Sequence, residues 1–434
     1  MKRVLIVSFD FPPQGGTGTI RVTKFAKYLP EFGWQPVVVA SDTLWNPDES
    51  LARDVADVPV YRVGWPRWVK AFRPGSPSKF AQVVKASGES KIALLKQRLV
   101  QMLRRAFVPD LNVLWVGNAF QTCKKVLQEI PCDVVMTTSP PNSVHLVGYK
   151  LHTRLGLPWV ADFRDVWTAE NPALRRLGKI HLARQRRVER QILETCDRAI
   201  MVTEPLMQKT RQVFGPRVAA KCVTINNGFD PEDFVPSLSV PPDNRCVITY
   251  VGTVLGPRTN NAFPEGLRLA LMQNEVFREK ALIRFIGQLD PSYRARLAGL
   301  EDNVEIVDMV AHNKAIEMML AAHLLLLLLP NDEEGRMSFT NKFFEYLAAR
   351  RPIFALVPEG IVSEIIIQEK IGLVAAPDDV AAIAQALLTM FDMVQAQPDG
   401  YCPSDALRAR FDRRRLTQSL AEVLNQITGR NPNE

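Results

Sequence analysis

The stretch Ser338–Val357, SFTNKFFEYLAARRPIFALV, holds the residues of this chain best suited to grip a charged ligand. It reads as a loop, a short helix with one glutamate, Glu345, then Pro352 and a buried strand. A helix start leaves its first backbone N–H groups without helical partners, and such a start seats phosphate oxygens. Lys342 lies in the loop before the helix, and Phe343 follows it. One turn inside, the Glu345 carboxylate can accept two hydroxyls of a sugar ring. That order suits a nucleotide bound phosphate first. The same residues also describe an ordinary amphipathic helix of an α/β protein.

A second loop, TYVGTVLGPRTNN, brings Gly252, Thr253, Gly256 and Arg258 to the end of a candidate strand. A guanidinium such as Arg258 can fork two phosphate oxygens. Together the two loops suggest amides and Arg258 for a diphosphate and Glu345 for a ribose. In the first half, FDFPPQGGTGTIRV places Gly15, Gly16 and Gly18 before a helix starting near Thr19. Glycines there allow close backbone approach to a ligand, although the spacing is not the dinucleotide fingerprint. A structural turn is the equal alternative. The segment DFRDVWT sets Asp162, Arg164 and Asp165 at a strand end, where they form either an internal Asp–Arg pair or part of a site. His145 falls on the helix after Pro141 and reads as structural. No Ser-His-Asp order, H-E-x-x-H, Walker loop or D-x-D pair occurs. Neutralisation of a leaving diphosphate then falls to helix ends and to Arg or Lys, with no metal expected.

The elements that position these loops alternate short apolar runs with helix-length amphipathic stretches, the pattern of parallel sheets covered by helices. Candidate strands of the first half are Arg3–Ser8, Pro36–Ala40, Val58–Arg62, Asp133–Thr138, Trp159–Ala161, Ala199–Thr203 and Val223–Ile225. The pattern restarts at Cys246–Val251 and continues through Ile283–Ile286, Val304–Ile306, Leu324–Leu329, Ile353–Leu356 and Leu373–Ala375. The proline-rich FDPEDFVPSLSVPPDNR between the halves reads as a linker. We therefore expect two doubly wound α/β domains, 1–235 and 236–405, with residues 406–434 forming a helix that packs back on the first. Ligands of such folds bind beyond the carboxyl ends of the strands, here in a cleft between the domains.

Composition is that of a globular protein with scattered cysteines and no C-x-x-C pair, which argues against a disulfide framework or a zinc site. The opening MKRVLIVSFDFPP reads as a buried first strand rather than a leader, and Leu324–Leu329 is far too short to span a bilayer. The formal charge of +8 is uneven. Residues 62–108 hold eleven basic side chains against one acid, Glu89, so that segment carries +10 and the remainder −2. Basic residues there, including Arg67, Lys70, Lys96, Arg104 and Arg105, alternate with Trp65, Trp68, Phe72 and a helically spaced apolar stripe. The pattern fits an anionic membrane surface, and the alternative is a stripe that faces the domain core. No nucleic-acid recognition module is present.

Six segments in order resemble the family 4 glycosyltransferases, which have the two-domain GT-B fold. They are FPPQGGTGTIRVTKFAKYLPEFGWQPVVV, PWVADFRDVW, CDRAIMVTEPL, INNGFDPEDF, ITYVGTVLGPR and NKFFEYLAARRP. The likeness spans nearly the whole chain and is nearest the branch that builds bacterial surface polysaccharides and lipid-linked saccharides. It implies retaining, metal-free transfer of a sugar from a UDP- or GDP-linked donor to a saccharide or polyprenyl-linked acceptor, at the cytoplasmic face of the inner membrane. Gly16 matches the backbone approach to donor phosphate and acceptor. Arg258 matches the basic residue on the diphosphate, with Lys342 beside it. Glu345 matches the ribose-holding second glutamate of the family's E-x7-E motif. Asp165 is assigned to acceptor positioning, with Asp162 and Arg164 on the acceptor side.

Two positions depart from the family. Met337 replaces the first glutamate of that motif, and Arg350 stands where many members have glycine. Two rivals stay open: a sugar-nucleotide 2-epimerase of the same fold, and a membrane-bound scaffold that has lost activity.

Overall fold

The computed structural model describes residues 1–44, 47–66, 107–169, 174, 177–234, 245–256, 261–337, 339–397 and 400–429. Chain contacts divide it into two units, Met1–Asn226 joined by the residues from Leu416 onward, and Asn227–Arg415.

The first unit is built on seven parallel strands: β1 (Lys2–Ser8), β2 (Trp34–Ser41), β3 (Val60–Val63), β4 (Val134–Ser139), β5 (Trp159–Phe163), β6 (Arg198–Met201) and β7 (Cys222–Thr224). Their order across the sheet is β3-β2-β1-β4-β5-β6-β7. Its main helices are α1 (Thr17–Tyr28), α2 (Val116–Glu129), α3 (His145–Leu155), α4 (Lys179–Thr195) and α5 (Glu204–Phe214). Successive side chains of a strand point to opposite faces, so a strand covered on both faces must be apolar throughout. β1 shows this directly: Leu5 and Val7 join one core with Trp115 and Trp159, while Val4 and Ile6 join the other with Phe25 and Trp34. Leu416, Leu420 and Leu424, four residues apart on the helix Arg413–Ile427, complete that second core.

The second unit repeats the plan with β8 (Cys246–Val251), β9 (Ala281–Ile286), β10 (Val304–Val307), β11 (Leu324–Leu328), β12 (Ile353–Leu356) and β13 (Gly372–Ala375). Their order is β10-β9-β8-β11-β12-β13. The helices that matter below are α6 (Phe263–Gln273), α7 (His312–Leu320), α8 (Asn341–Ala349), α9 (Ile361–Gln368) and α10 (Val380–Ala396). The leucine run of β11 is divided in the same alternating way, with Leu324, Leu326 and Leu328 in one core and Leu325 and Leu327 in the other. Every strand read from the sequence is present, and every pairing within the two sheets is parallel.

In each sheet the direction of winding reverses once, between β1 and β4 and between β8 and β11. At such a point neighbouring crossovers leave on opposite faces, and the loops after the two strands part to leave a crevice. The glycine loops singled out by sequence follow β1 and β8, and the Ser338–Glu345 segment lies after β11, whereas DFRDVWT falls at the end of β5.

One detail corrects the local reading, and a second accounts for Arg350. The stretch expected as one C-terminal helix is interrupted, giving Asp405–Arg410 and Arg413–Ile427. Arg350 caps α8 in the left-handed region, φ 54° and ψ 41°, which explains why a glycine suits that position, and its guanidinium pairs with Asp405.

Candidate functional site

In the second unit, β8 and β11 pair only at Ile248 and Thr249, opposite Leu324 and Leu325. Beyond that point the strands part, and the hydroxyl of Tyr346, on α8, bridges the split. It donates to the Leu326 carbonyl at 3.0 Å and accepts from the Val251 N–H at 3.2 Å. Tyr346 is fully buried, and burial pushes its hydroxyl pKa up, so it stays neutral. The helix that carries the candidate binding residues is thereby fastened to both lips of the crevice. Tyr346→Phe leaves two buried backbone groups unpaired, which costs about 1–3 kcal/mol for such groups. The expected result is a lowered thermal midpoint together with weaker nucleotide binding.

α8 begins at Asn341, and its N-cap, Thr340, provides no side-chain hydrogen bond to the first turn. The turn thus has the polarity of an anion seat. Lys342 lies within this turn rather than in the loop before it. Its side chain folds across the loop after β8. Nζ stands 5.5 Å from the Tyr250 ring centroid, and the Lys342 side chain fills the space that a Cβ on Gly252 would need. Gly252 also takes φ 121°, a conformation that favours glycine, whereas a Cβ there would displace the flexible end of Lys342. This packing joins the two loops that the sequence offered separately. A cation and an uncapped helix start therefore share one place, at the end of β8.

Glu345 follows Lys342 by three residues and lies on the same side of α8. Its side chain is 18% exposed, and its Oε1 is 3.1 Å from Nε2 of His312, the first residue of α7. A carboxylate only accepts, so Nε2 carries the hydrogen. Sequence reasoning missed His312 because 33 residues and a β-strand separate it from its partner.

Phe343, grouped with the donor-binding residues from sequence, is instead a core residue. Its ring is fully buried and stacks on Phe339 at 5.4 Å, in contact with Phe344 and Phe411. Adjacent residues of a helix point about 100° apart, so Phe343 cannot share the face of Lys342 and Glu345. The Thr253 carbonyl accepts from the Tyr250 hydroxyl at 3.1 Å, which fixes the loop through its backbone. Arg258 lies outside the described residues.

In the first unit, the loop after β1 leads into α1 at Gly16, which takes φ 106° with open space around it. Here the backbone angle, rather than crowding, requires glycine. Arg62, counted in the basic segment, serves this loop: its guanidinium donates to the carbonyls of Phe11, Pro12 and Ser41. Of the two readings left open for Asp162, Arg164 and Asp165, an internal pair of Asp162 with Arg164 is not formed. The partner of Asp162 is Arg21 of α1, whose Nη2 lies 2.8 Å from Oδ1 and whose Nε lies 3.2 Å from Oδ2. Thr138 donates to Oδ2 at 2.7 Å. Arg21 donates in addition to the carbonyls of Ile225 and Asn226. Arg164 is buried as well and donates to the carbonyls of Ser139 and Pro140. Both therefore brace the strand ends. Asp165, by contrast, is exposed. His145 is fully buried, bonded to Thr137 at 2.8 Å, and burial lowers its pKa to about 3. It is a neutral structural residue.

Comparison with known proteins gives this geometry its family. Residues 15–228 match the model of the glycosyl transferase 4-like domain, and residues 246–393 match that of the group 1 glycosyl transferases. HepE from Anabaena, solved with UDP, is 16% identical with a TM-score of 0.65, covering 98% of this chain and 100% of that one. Sucrose-phosphate synthase from Thermosynechococcus elongatus is 15% identical with a TM-score of 0.66, over 99% and 100% of the two chains. WaaG, a glycosyltransferase involved in lipopolysaccharide biosynthesis, is 16% identical with a TM-score of 0.56, over 98% and 100%. No curated protein matches the chain by sequence. At these identities the solved structures speak for the fold, and the two domain models, in order, speak for the family. The chain belongs to the glycosyltransferases of family 4 type and is a transferase of GT-B fold.

Proposed function

We propose that this transferase takes its sugar from a UDP- or GDP-linked donor and delivers it, with retention and without a metal, to a saccharide or polyprenyl-linked acceptor in surface polysaccharide synthesis. The observation that carries the donor half is the packing of Lys342 against Gly252 at the mouth of the β8/β11 crevice, with Glu345 one turn further along α8. A diphosphate set on the α8 N-terminus and Lys342 places the ribose toward Glu345. HepE, solved also with UDP-glucose, supports a sugar nucleotide as the donor. Arg258 is assigned to the diphosphate as a second cation, and Gly16 to the backbone approach on the first domain.

In the chemistry we assign, the acceptor hydroxyl attacks the anomeric carbon from the face that the diphosphate leaves. The new C–O bond forms as the bond to the β-phosphate oxygen breaks, and the hydroxyl proton passes to that oxygen. No protein nucleophile is needed. The protein's share is stabilisation of the leaving charge by Lys342, Arg258 and helix N–H groups. Asp165, exposed at the end of β5, is the residue we assign to positioning the acceptor. The missing glutamate at Met337 bears on the sugar ring rather than on the nucleotide, so donor-sugar selectivity is where this chain departs from its relatives.

The test is incubation with a panel of UDP- and GDP-sugars, with and without polyprenyl-linked and free saccharide acceptors. Donor consumption that depends on acceptor is the expected result. Release of a 2-epimer without acceptor contradicts it.

Among the described residues, no helix is long and apolar enough to cross a membrane. Arg67, Trp68, Lys70, Lys96, Arg104 and Arg105 lie outside the described residues. From the charge pattern of their segment and the class of acceptor, we assign them to the anionic cytoplasmic face of the inner membrane. Reversing the charge of Arg104 and Arg105 is expected to release the protein from anionic liposomes in a sedimentation assay, since each basic residue near such a surface contributes about 1 kcal/mol. Unchanged sedimentation removes this assignment.

A further inference from the structure

His312 is not among the residues that the family resemblance assigns, yet it is the side chain hydrogen-bonded to Glu345. It opens α7, and its Nε2–H donates to Oε1 of Glu345 at 3.1 Å. Glu345 is mostly buried and His312 about one-third exposed, so the pair sits at the rim of the unit. A glutamate has three side-chain torsions to fix, and a carboxylate left to swing cannot meet two hydroxyls with defined spacing. One hydrogen bond from a rigid imidazole removes that freedom before a ligand arrives. It also leaves capacity for the ligand. An ionised carboxylate offers about four lone-pair sites, and His312 uses one of them.

We infer that His312 is a positioning residue for the donor nucleotide: it presents the Glu345 carboxylate to the ribose diol, and the pair rather than Glu345 alone sets the preference for a ribonucleotide. This rests on the proposal that Glu345 faces the ribose. A purely structural tie between α7 and α8 is the competing explanation of the same contact. The two differ in a measurable way. A structural tie affects every nucleotide equally, whereas a positioning residue matters only to a nucleotide that has the hydroxyls.

The experiment is isothermal calorimetry on the full chain with UDP or GDP, whichever the wild type binds more tightly, and with its 2′,3′-dideoxy counterpart. Wild type is expected to favour the ribonucleotide. His312→Ala is expected to weaken the ribonucleotide by about five- to tenfold, as for loss of support to a charged hydrogen-bond acceptor, and to leave the dideoxy affinity within about twofold. His312→Gln, whose amide N–H can take the place of Nε2–H, is expected to retain most of the discrimination. Should the alanine variant not fold, His312→Asn, too short to reach Glu345, serves with the same expectation. Equal weakening of both nucleotides, or no change for either, overturns the inference while leaving the nucleotide site standing. Absence of any nucleotide binding by the wild type removes both.

Discussion

Glu345→Ala is expected to weaken nucleoside diphosphate binding by about 10- to 100-fold, the factor that follows from losing hydrogen bonds to a charged group worth about 1.5–3 kcal/mol. The ribose stays bound from ground state to transition state, so the loss belongs to both. KM for the donor should therefore rise by a similar factor with kcat little changed. Stability should move little. Among the described residues, Glu345 is bonded to a partly exposed histidine, and even a fully charged pair at such exposure contributes about 0–1 kcal/mol. Calorimetry, donor kinetics and a thermal melt on the same preparation check all three. An unchanged affinity removes the ribose role, and a collapse of the melt turns Glu345 into a structural residue.

Asp162→Ala is expected to have the largest effect on stability. The Asp162–Arg21 pair is almost wholly buried, at 0% and 1% exposure, and it is forked, with Thr138 adding a third bond to the carboxylate. Removing the aspartate takes from the buried Arg21 guanidinium, which lies beside Arg164, the carboxylate that forks it, a change that costs about 3–5 kcal/mol for pairs of this kind. That is a large part of the total stability of a domain. The double change Arg21→Met with Asp162→Leu is expected to lose less than the single one, because the Arg21 charge is removed together with the carboxylate that faces it. The pH dependence has a definite sign. Burial raises the Asp162 carboxyl pKa, but the charge and hydrogen bonds of Arg21, with Thr138 and Arg164, outweigh it and hold the group below its ordinary value. Its contribution is thus fully present above the unfolded carboxylate value of about 3.9, and it is lost as pH falls through the lower folded value. Thermal midpoints of wild type and the double variant between neutral pH and pH 2 should converge on acidification. A constant gap contradicts the assignment.

What was legible in the sequence follows the range of the interactions. All the strands could be read because a strand buried on both faces must be apolar along its length, as β1 and β11 are. The positions of the glycine loops followed from their place after β1 and β8. Glu345 and Lys342 were each legible as candidate ligand groups, but Lys342 was placed in the loop before the helix rather than in its first turn, where it stands three residues from Glu345. Contacts that close over long separations were not. Asp162 and Arg164, close in sequence, look like partners, but the strand end directs Asp162 to Arg21 on α1, 141 residues earlier. His312 reaches Glu345 only because α7 and α8, which follow the parallel strands β10 and β11, both start at the same end of the second sheet. The Tyr346 hydroxyl reads as one more apolar-face aromatic until the parting of β8 and β11 shows what it must satisfy. Phe343 failed for a local reason. A helix turns its neighbours to different faces, and Phe343, between Lys342 and Glu345, turns into the core.

The most direct measurement is a crystal structure of the protein with UDP, or with GDP should that bind more tightly. The expected result places the diphosphate against the first turn of α8 within reach of Lys342, and the ribose hydroxyls within hydrogen-bonding distance of the Glu345 carboxylate, with His312 still on its other side. A nucleotide bound elsewhere, or one whose ribose points away from Glu345, contradicts the proposed site.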